Sequence, residues 1–191
     1  NWLFEYACAL DHLGIFLEDD TYYTKALDIL NHVLMLNPEF PNLHYRLAIT
    51  YSHLAELLHE PDLFHKSLHH YRIANQKEKE NDQIILEWGI TLSNFADLLE
   101  NTGDAESLFR EAEYKLIQAA KLGNIYAYYA LASLYALTHQ HDRAMHFLYK
   151  AKTFEGLPSL EEILEDEWLE ELRETEPFQA FIETLESKIE D

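Results

Sequence analysis

The stretch LDHLGIFLEDDTYYTKALDILNHVLMLNP, residues 10–38, meters out its smallest and stiffest residues: Gly14, Ala26 twelve residues later, and Pro38 after another twelve. Ala26, Leu27, Leu30, Val33 and Leu34 recur at intervals of three and four, which is the period of one helix face. Two antiparallel helices approach closely only where side chains are small. Gly14 and Ala26 therefore mark an expected helix–helix contact, with large residues one turn away filling the grooves beside it. Pro38 stops this unit and Pro41 starts the next.

The meter returns along the chain. In ALASLYALTHQHDRAMHFLYKAK, residues 130–152, Ala132 follows Leu131, Tyr135 comes three later, and Ala144 lies twelve after Ala132; Leu148 and Ala151 match Leu30 and Val33. Two looser copies run through Leu47, Ala48, Tyr51, Ser67, Tyr71 and Ala74, and through Trp88, Gly89, Leu92, Ala112, Leu116 and Ala119. This pattern resembles the tetratricopeptide repeat, a helix–turn–helix unit of about 34 residues. Leu17 stands where the family usually carries Tyr. The resemblance implies an all-α, right-handed superhelical array of four units, 7–40, 41–81, 82–124 and 125–158, followed by capping helices over 159–191. Ala74, Ala119 and Ala151 are expected to leave room for the first helix of the next unit.

The second and third units read as lengthened. Ala48 to Ser67 is nineteen residues and Gly89 to Ala112 is twenty-three, seven and eleven more than in the other two units. These excesses are close to about two and about three helical turns, so they keep an apolar face in register to within about 20°. The expectation is long hairpins projecting from one edge. Leu54, Leu57 and Leu58 would extend one stripe, and Phe95, Leu98 and Leu99 another, packed on Leu108 and Phe109. Pro61 is placed to open a helix, Asn101 to Asp104 to break one, and Gly123 to end one. Ser159 and Glu162 form a capping-box pairing, and Pro177 marks a second helix start, so the tail reads as one or two capping helices. LEELRETEPFQAF, within that tail, is similar to the closing segment of bacterial tetratricopeptide chains. At the front, Trp2, Leu3, Phe4 and Tyr6 run into the first helix with no visible cap. That is expected of a fragment cut from a longer chain, or of a partner or self-association surface.

Fourteen basic side chains face thirty-five acidic ones, a formal charge of −21. That balance excludes a phosphate-binding stripe for nucleic acid and docking on anionic membranes, and favours a partner of basic character. From Glu155 to Asp191 fourteen acidic residues stand against Arg173 and Lys188, the pattern of a solvated face. The single cysteine, Cys8, permits no internal disulfide and fits a reducing, cytoplasmic compartment. No apolar run of about 18 residues is present to span a membrane. No phosphate loop, HExxH, CxxC or GxSxG occurs, so catalysis is not expected. His65 and His69 have the i, i+4 spacing of metal ligands, but no Cys or carboxylate completes that face, and no metal or cofactor is expected. His139 and His141 fall in a turn and are expected to be solvated. Glu162 and Asp166, four apart, read as a charge pattern rather than an acid/base pair.

The resemblance further implies that the first helix of each unit lines a concave groove. The lining positions are Asp11, His12, Ile15 and Glu18; Asn42, Tyr45, Arg46, Ile49 and His53; Gln83, Leu86, Glu87, Ile90 and Asn94; and Tyr126, Tyr129, Ala130 and Ser133. About half are expected only to pack against neighbours. The Lys and Asn with which chaperone-binding members clamp a terminal carboxylate are absent, and Asp11 and Glu18 stand on that wall. The groove suits an extended or helical peptide with apolar anchors and some positive charge, with Tyr45, Tyr126 and Tyr129 as anchors. The expected function is a protein–protein interaction scaffold without catalysis. The alternatives are a bacterial secretion chaperone of tetratricopeptide type and a regulatory or assembly segment of a larger protein.

Overall fold

The computed structural model describes residues 2–99 and 103–186. Its helices are α1 (Trp2–Leu17), α2 (Asp20–Leu36), α3 (Leu43–Leu58), α4 (Pro61–Lys77), α5 (Asp82–Leu98), α6 (Gly103–Lys121), α7 (Ala127–Leu137), α8 (His141–Thr153), α9 (Leu160–Glu165), α10 (Glu170–Arg173) and α11 (Glu176–Glu186), with a 3-10 turn at Glu167–Leu169. No strand occurs among the described residues. No helix among them is long and apolar enough to cross a membrane. Contacts divide the chain into two compact units, Asn1–Ala112 and Glu113–Asp191, and the division falls inside α6.

In the first unit consecutive helices pair: α1 with α2, α3 with α4, then α2 with α3 and α4 with α5. Local signals set the ends. The Asp19 carboxylate accepts from Thr21 N at 2.9 Å to start α2, and Asn81 accepts from Ile84 N at 3.2 Å to start α5. Pro61 opens α4, as its missing N–H permits. His59, in the left-handed region at φ 53°, closes α3 through its N–H to the Ala55 and Glu56 carbonyls.

Small residues sit where helices touch. A Cβ added to Gly14 would lie 2.8 Å from the Tyr23 ring of α2, so only glycine lets α1 approach that ring. Ala26 is fully buried beside it. In the next hairpin the Ser67 hydroxyl donates to the Ala48 carbonyl at 2.7 Å, and both residues are fully buried. Leu10, Tyr23, Leu27, Leu30, Leu43, Leu47 and Leu54 form one cluster around these contacts. Each fully buried Leu contributes roughly 1.5–3 kcal/mol.

The first hairpin is as long as the second: α1 and α3 have 16 residues each, α2 and α4 have 17. Between these two hairpins the spacing of the small pair measures how far the contact lies from the turn, not how long the helices are. Gly14 sits three residues before the end of α1 and Ala48 ten before the end of α3. The supposed extensions are packed: Leu54 is buried, Leu57 half-buried, and Leu58 exposed at the turn. Phe95 stacks on Phe64 of α4 with ring centroids 4.9 Å apart, a contact the sequence reading did not foresee. Of the expected break, Asn101 and Thr102 lie outside the described residues, while Gly103 and Asp104 begin α6.

In the second unit α7 and α8, of 11 and 13 residues, pair through fully buried Ala132, Ala144, Leu148 and Ala151. Gly123, at φ 102°, follows the end of α6 as expected. Gly156 packs directly on the backbone of Ile125. Among its described residues the tail holds three short helices and a 3-10 turn, not one or two helices. Ser159 and Glu162 form the full capping box of α9, and Asp166 then ends α9 and caps the 3-10 turn by accepting from Trp168 N at 3.0 Å. The 3-10 turn lies on α7 and α11 on α8, through buried Leu169, Phe178 and Phe181.

Candidate interaction face

The first helices of the first unit, α1, α3 and α5, touch one another in series, whereas α2 and α4 touch less. Side chains from the interfaces tie them together. Asp11, fully buried on α1, shares a hydrogen bond of 3.1 Å with His53 Nδ1 on α3. Ser52 on α3 and Thr91 on α5 pair through their hydroxyls at 2.9 Å. Ser52 donates to the Glu56 carboxylate at 2.9 Å, so Thr91 is the donor to Ser52, and the Tyr71 hydroxyl lies 3.4 Å from Thr91 on its other side.

On the outward side of these three helices, His12, Ile15, Glu18, Asn42 and Gln83 are exposed, and Tyr45, Arg46, His53, Glu87, Ile90 and Asn94 are partly exposed. Asp11, Ile49 and Leu86, read as lining, are buried and hold the helices together instead. The face is electrostatically coupled. Burial alone would depress His53, but the Asp11 hydrogen bond and charge, with Glu56 and Glu87, more than offset it and raise the imidazole above its ordinary value. Burial raises the Glu87 carboxyl, with the 2.9 Å hydrogen bond from Gln83 and the charge of His53 acting against it. Burial, then the Glu87 charge, pushes the Tyr45 phenol up to about 12. The result is a half-desolvated surface with both donors and acceptors around an aromatic ring, suited to docking polar chain beside an apolar anchor.

The second unit treats its expected lining residues differently. Tyr126 is 58% exposed and Ala130 half-buried. The Tyr129 hydroxyl donates to Asp166 Oδ2 at 2.7 Å, and the buried Ser133 hydroxyl donates to the same oxygen at 3.0 Å. Burial, followed by the Asp166 charge, holds the Tyr129 phenol well above its usual range. Asp166 thus engages both hydroxyls on this side of α7. Sequence reasoning placed Asp166 in an exposed charge pattern; its capping position before Trp168 was the only local signal of another role.

Two histidine readings are corrected or refined. His65 packs edge-on against Phe95, with centroids 5.0 Å apart, and His69 lies against His70. His139 and His141 are not simply solvated: they meet Glu171 of α10, with His139 Nδ1 2.8 Å and His141 Nε2 3.8 Å from the same carboxylate oxygen. Among the described residues, this is the one place where three side chains of metal-ligating type converge. Cys8 is buried, and burial raises its thiol above the ordinary value, which suits an inert packing role. Compared with models of known protein families, with curated proteins and with solved structures, the chain matches none.

Proposed function

We propose that the chain is a protein–protein interaction scaffold that binds a peptide or helix of a partner on the α1–α3–α5 face, without catalysis. One observation carries this reading: three successive first helices are joined by the part-buried Asp11–His53 and the buried Ser52–Thr91 hydrogen bonds while their outward side chains stay partly open. Closer approach among α1, α3 and α5 than between α2 and α4 favours curvature toward this face, as the resemblance to tetratricopeptide repeats implies. Rigid support lowers the entropic cost of docking, because the side chains that meet the partner are already held. Ile15 and Ile90 offer apolar contact, Tyr45 an aromatic anchor, and Glu18 and Glu87 attract positive charge.

Affinity capture with quantitative mass spectrometry tests this. The exposed sites permit Ile15→Arg with Gln83→Arg without disturbing the core, and Gln179→Arg with Glu183→Arg on α11 serves as the control pair. Partners held by the wild type should be lost from the first variant and kept by the control. Equal retention by both would refute the face.

A second reading, a self-association surface, is favoured by another side of α1. Trp2, Tyr6, Leu13 and Phe16 are exposed at coiled-coil spacing, Phe16 by 81%. Light scattering decides it: a wild-type oligomer dissociated by Phe16→Glu would support assembly, and a monomer at all concentrations would remove it.

A further inference from the structure

We propose that His139, His141 and Glu171 form a divalent transition-metal site that clips the acidic tail segment to the α7–α8 hairpin. The three ligand atoms lie within 4.8 Å of one another, with two of the separations at 2.8 and 3.8 Å. A tetrahedral zinc ion with bonds of about 2.0–2.2 Å needs its ligands about 3.3–3.5 Å apart. The measured separations bracket that value, and His139 and Glu171 are exposed enough to adjust.

The backbone beneath the histidines is pinned. His139 occupies the left-handed region at φ 56°, with its N–H on the Ala136 carbonyl at 2.9 Å, and Gln140 N bonds the Tyr135 carbonyl at 2.8 Å. This turn places His139 and His141, two residues apart, on the same carboxylate. A second observation points to a ligand. His141 Nε2 is shielded from solvent and has no hydrogen-bond partner among the described residues, although it faces Glu171 Oε2. A buried ring nitrogen without a partner is costly, and coordination would satisfy it. Two imidazoles and one carboxylate suit zinc, cobalt, nickel or copper, and not calcium or magnesium, which take oxygen ligands. The exposure of His139 and Glu171 leaves room for water to complete the coordination sphere.

The site has a structural consequence. Glu171 belongs to a helix of 4 residues, too short to persist on its own. Tying it to the turn before α8 would couple the tail to the hairpin, so that metal binding adds to folding stability.

Calorimetry and equilibrium dialysis of the full chain with Zn(II) test the proposal, with Mg(II) in excess to occupy the many surface carboxylates. One Zn(II) per chain is expected, with affinity falling at least about tenfold in His139→Ala, His141→Ala and Glu171→Gln. Co(II) should give the visible absorption of a low-coordinate site in the wild type and lose it in the same variants. Zn(II) should raise the thermal midpoint of the wild type alone. Far-UV circular dichroism of the metal-free variants verifies that their helices persist. His65→Ala with His69→Ala should leave the stoichiometry unchanged. No Zn(II) bound under excess Mg(II), or binding that survives both His139→Ala and His141→Ala, overturns the site.

Discussion

Replacing Gly14 by alanine sets two opposed effects against each other, and the structure determines which wins. In an open helix interior the change stabilises by about 0.8–1 kcal/mol, because glycine carries more backbone entropy to lose. Here the added Cβ would sit 2.8–2.9 Å from three atoms of the Tyr23 ring, which is 4% exposed. Forcing a methyl group into a packed interface costs about 1–3 kcal/mol. The net expectation is a destabilisation of about 1 kcal/mol, measured by urea unfolding followed by far-UV circular dichroism. Tyr23→Leu removes the obstructing ring atoms, so in that background Gly14→Ala should turn stabilising, by about 0.5–1 kcal/mol. The double-mutant cycle would then close with a coupling of about 2 kcal/mol. Gly103→Ala is the control, since nothing lies within 4 Å of its added Cβ. Should Gly14→Ala stabilise the wild type by about 1 kcal/mol, close approach of α1 and α2 at this residue would be refuted.

Gly156→Ala meets backbone instead of a ring, since the new Cβ would lie 2.7 Å from the Ile125 carbonyl carbon and nearer still to its oxygen. A loss of about 2–4 kcal/mol is expected in urea unfolding of the second unit. The His44 and His70 Nδ1 atoms lie 2.9 Å apart, so one ring donates and the other accepts. Burial, then His44 and His69, lowers His70 to about 4, and burial, then Lys77, lowers His44. Folding therefore favours the neutral rings: their stability is full above about pH 6.5 and is lost as pH falls toward about 4. Going from pH 7 to pH 5 should cost about 1.5–2 kcal/mol more in the wild type than in His70→Leu. His53 has the opposite sign, because Asp11 raises it; its contribution is present below about pH 6.5 and is lost as pH rises through the folded value. His53→Ala should cost about 2–4 kcal/mol at pH 6, less at pH 8, because it leaves the Asp11 carboxylate buried without its partner.

Helices, their partners in sequence and most of their ends were legible in the chain. Three- and four-residue periodicity, Pro61, Gly123 and the Ser159–Glu162 pairing are local, and they act within a turn or two of themselves. The small-residue meter also located real contacts, Gly14 on Tyr23 and Ser67 on Ala48, because close helix approach imposes a steric rule wherever it occurs. It misjudged the first hairpin against the second, since a contact near the turn and one midway along the hairpin give different spacings in helices of equal length. Among the expected lining residues, sequence separated the exposed Ile15 and Gln83 from the buried Asp11 and Leu86 poorly. All four fit the helix period, and burial depends on the neighbouring helix.

By itself the amino-acid order determined an all-helical chain, paired hairpins and an acidic surface, because propensity, capping and charge are properties of near neighbours. Only the tertiary structure brought Asp11 to His53, Asp166 to Tyr129 and Ser133, and Glu171 to His139 and His141. Those partners lie between 30 and 42 residues apart. A long-range polar contact leaves no period in the sequence. It forms where packed apolar faces hold two backbones close enough for a carboxylate to reach its donor.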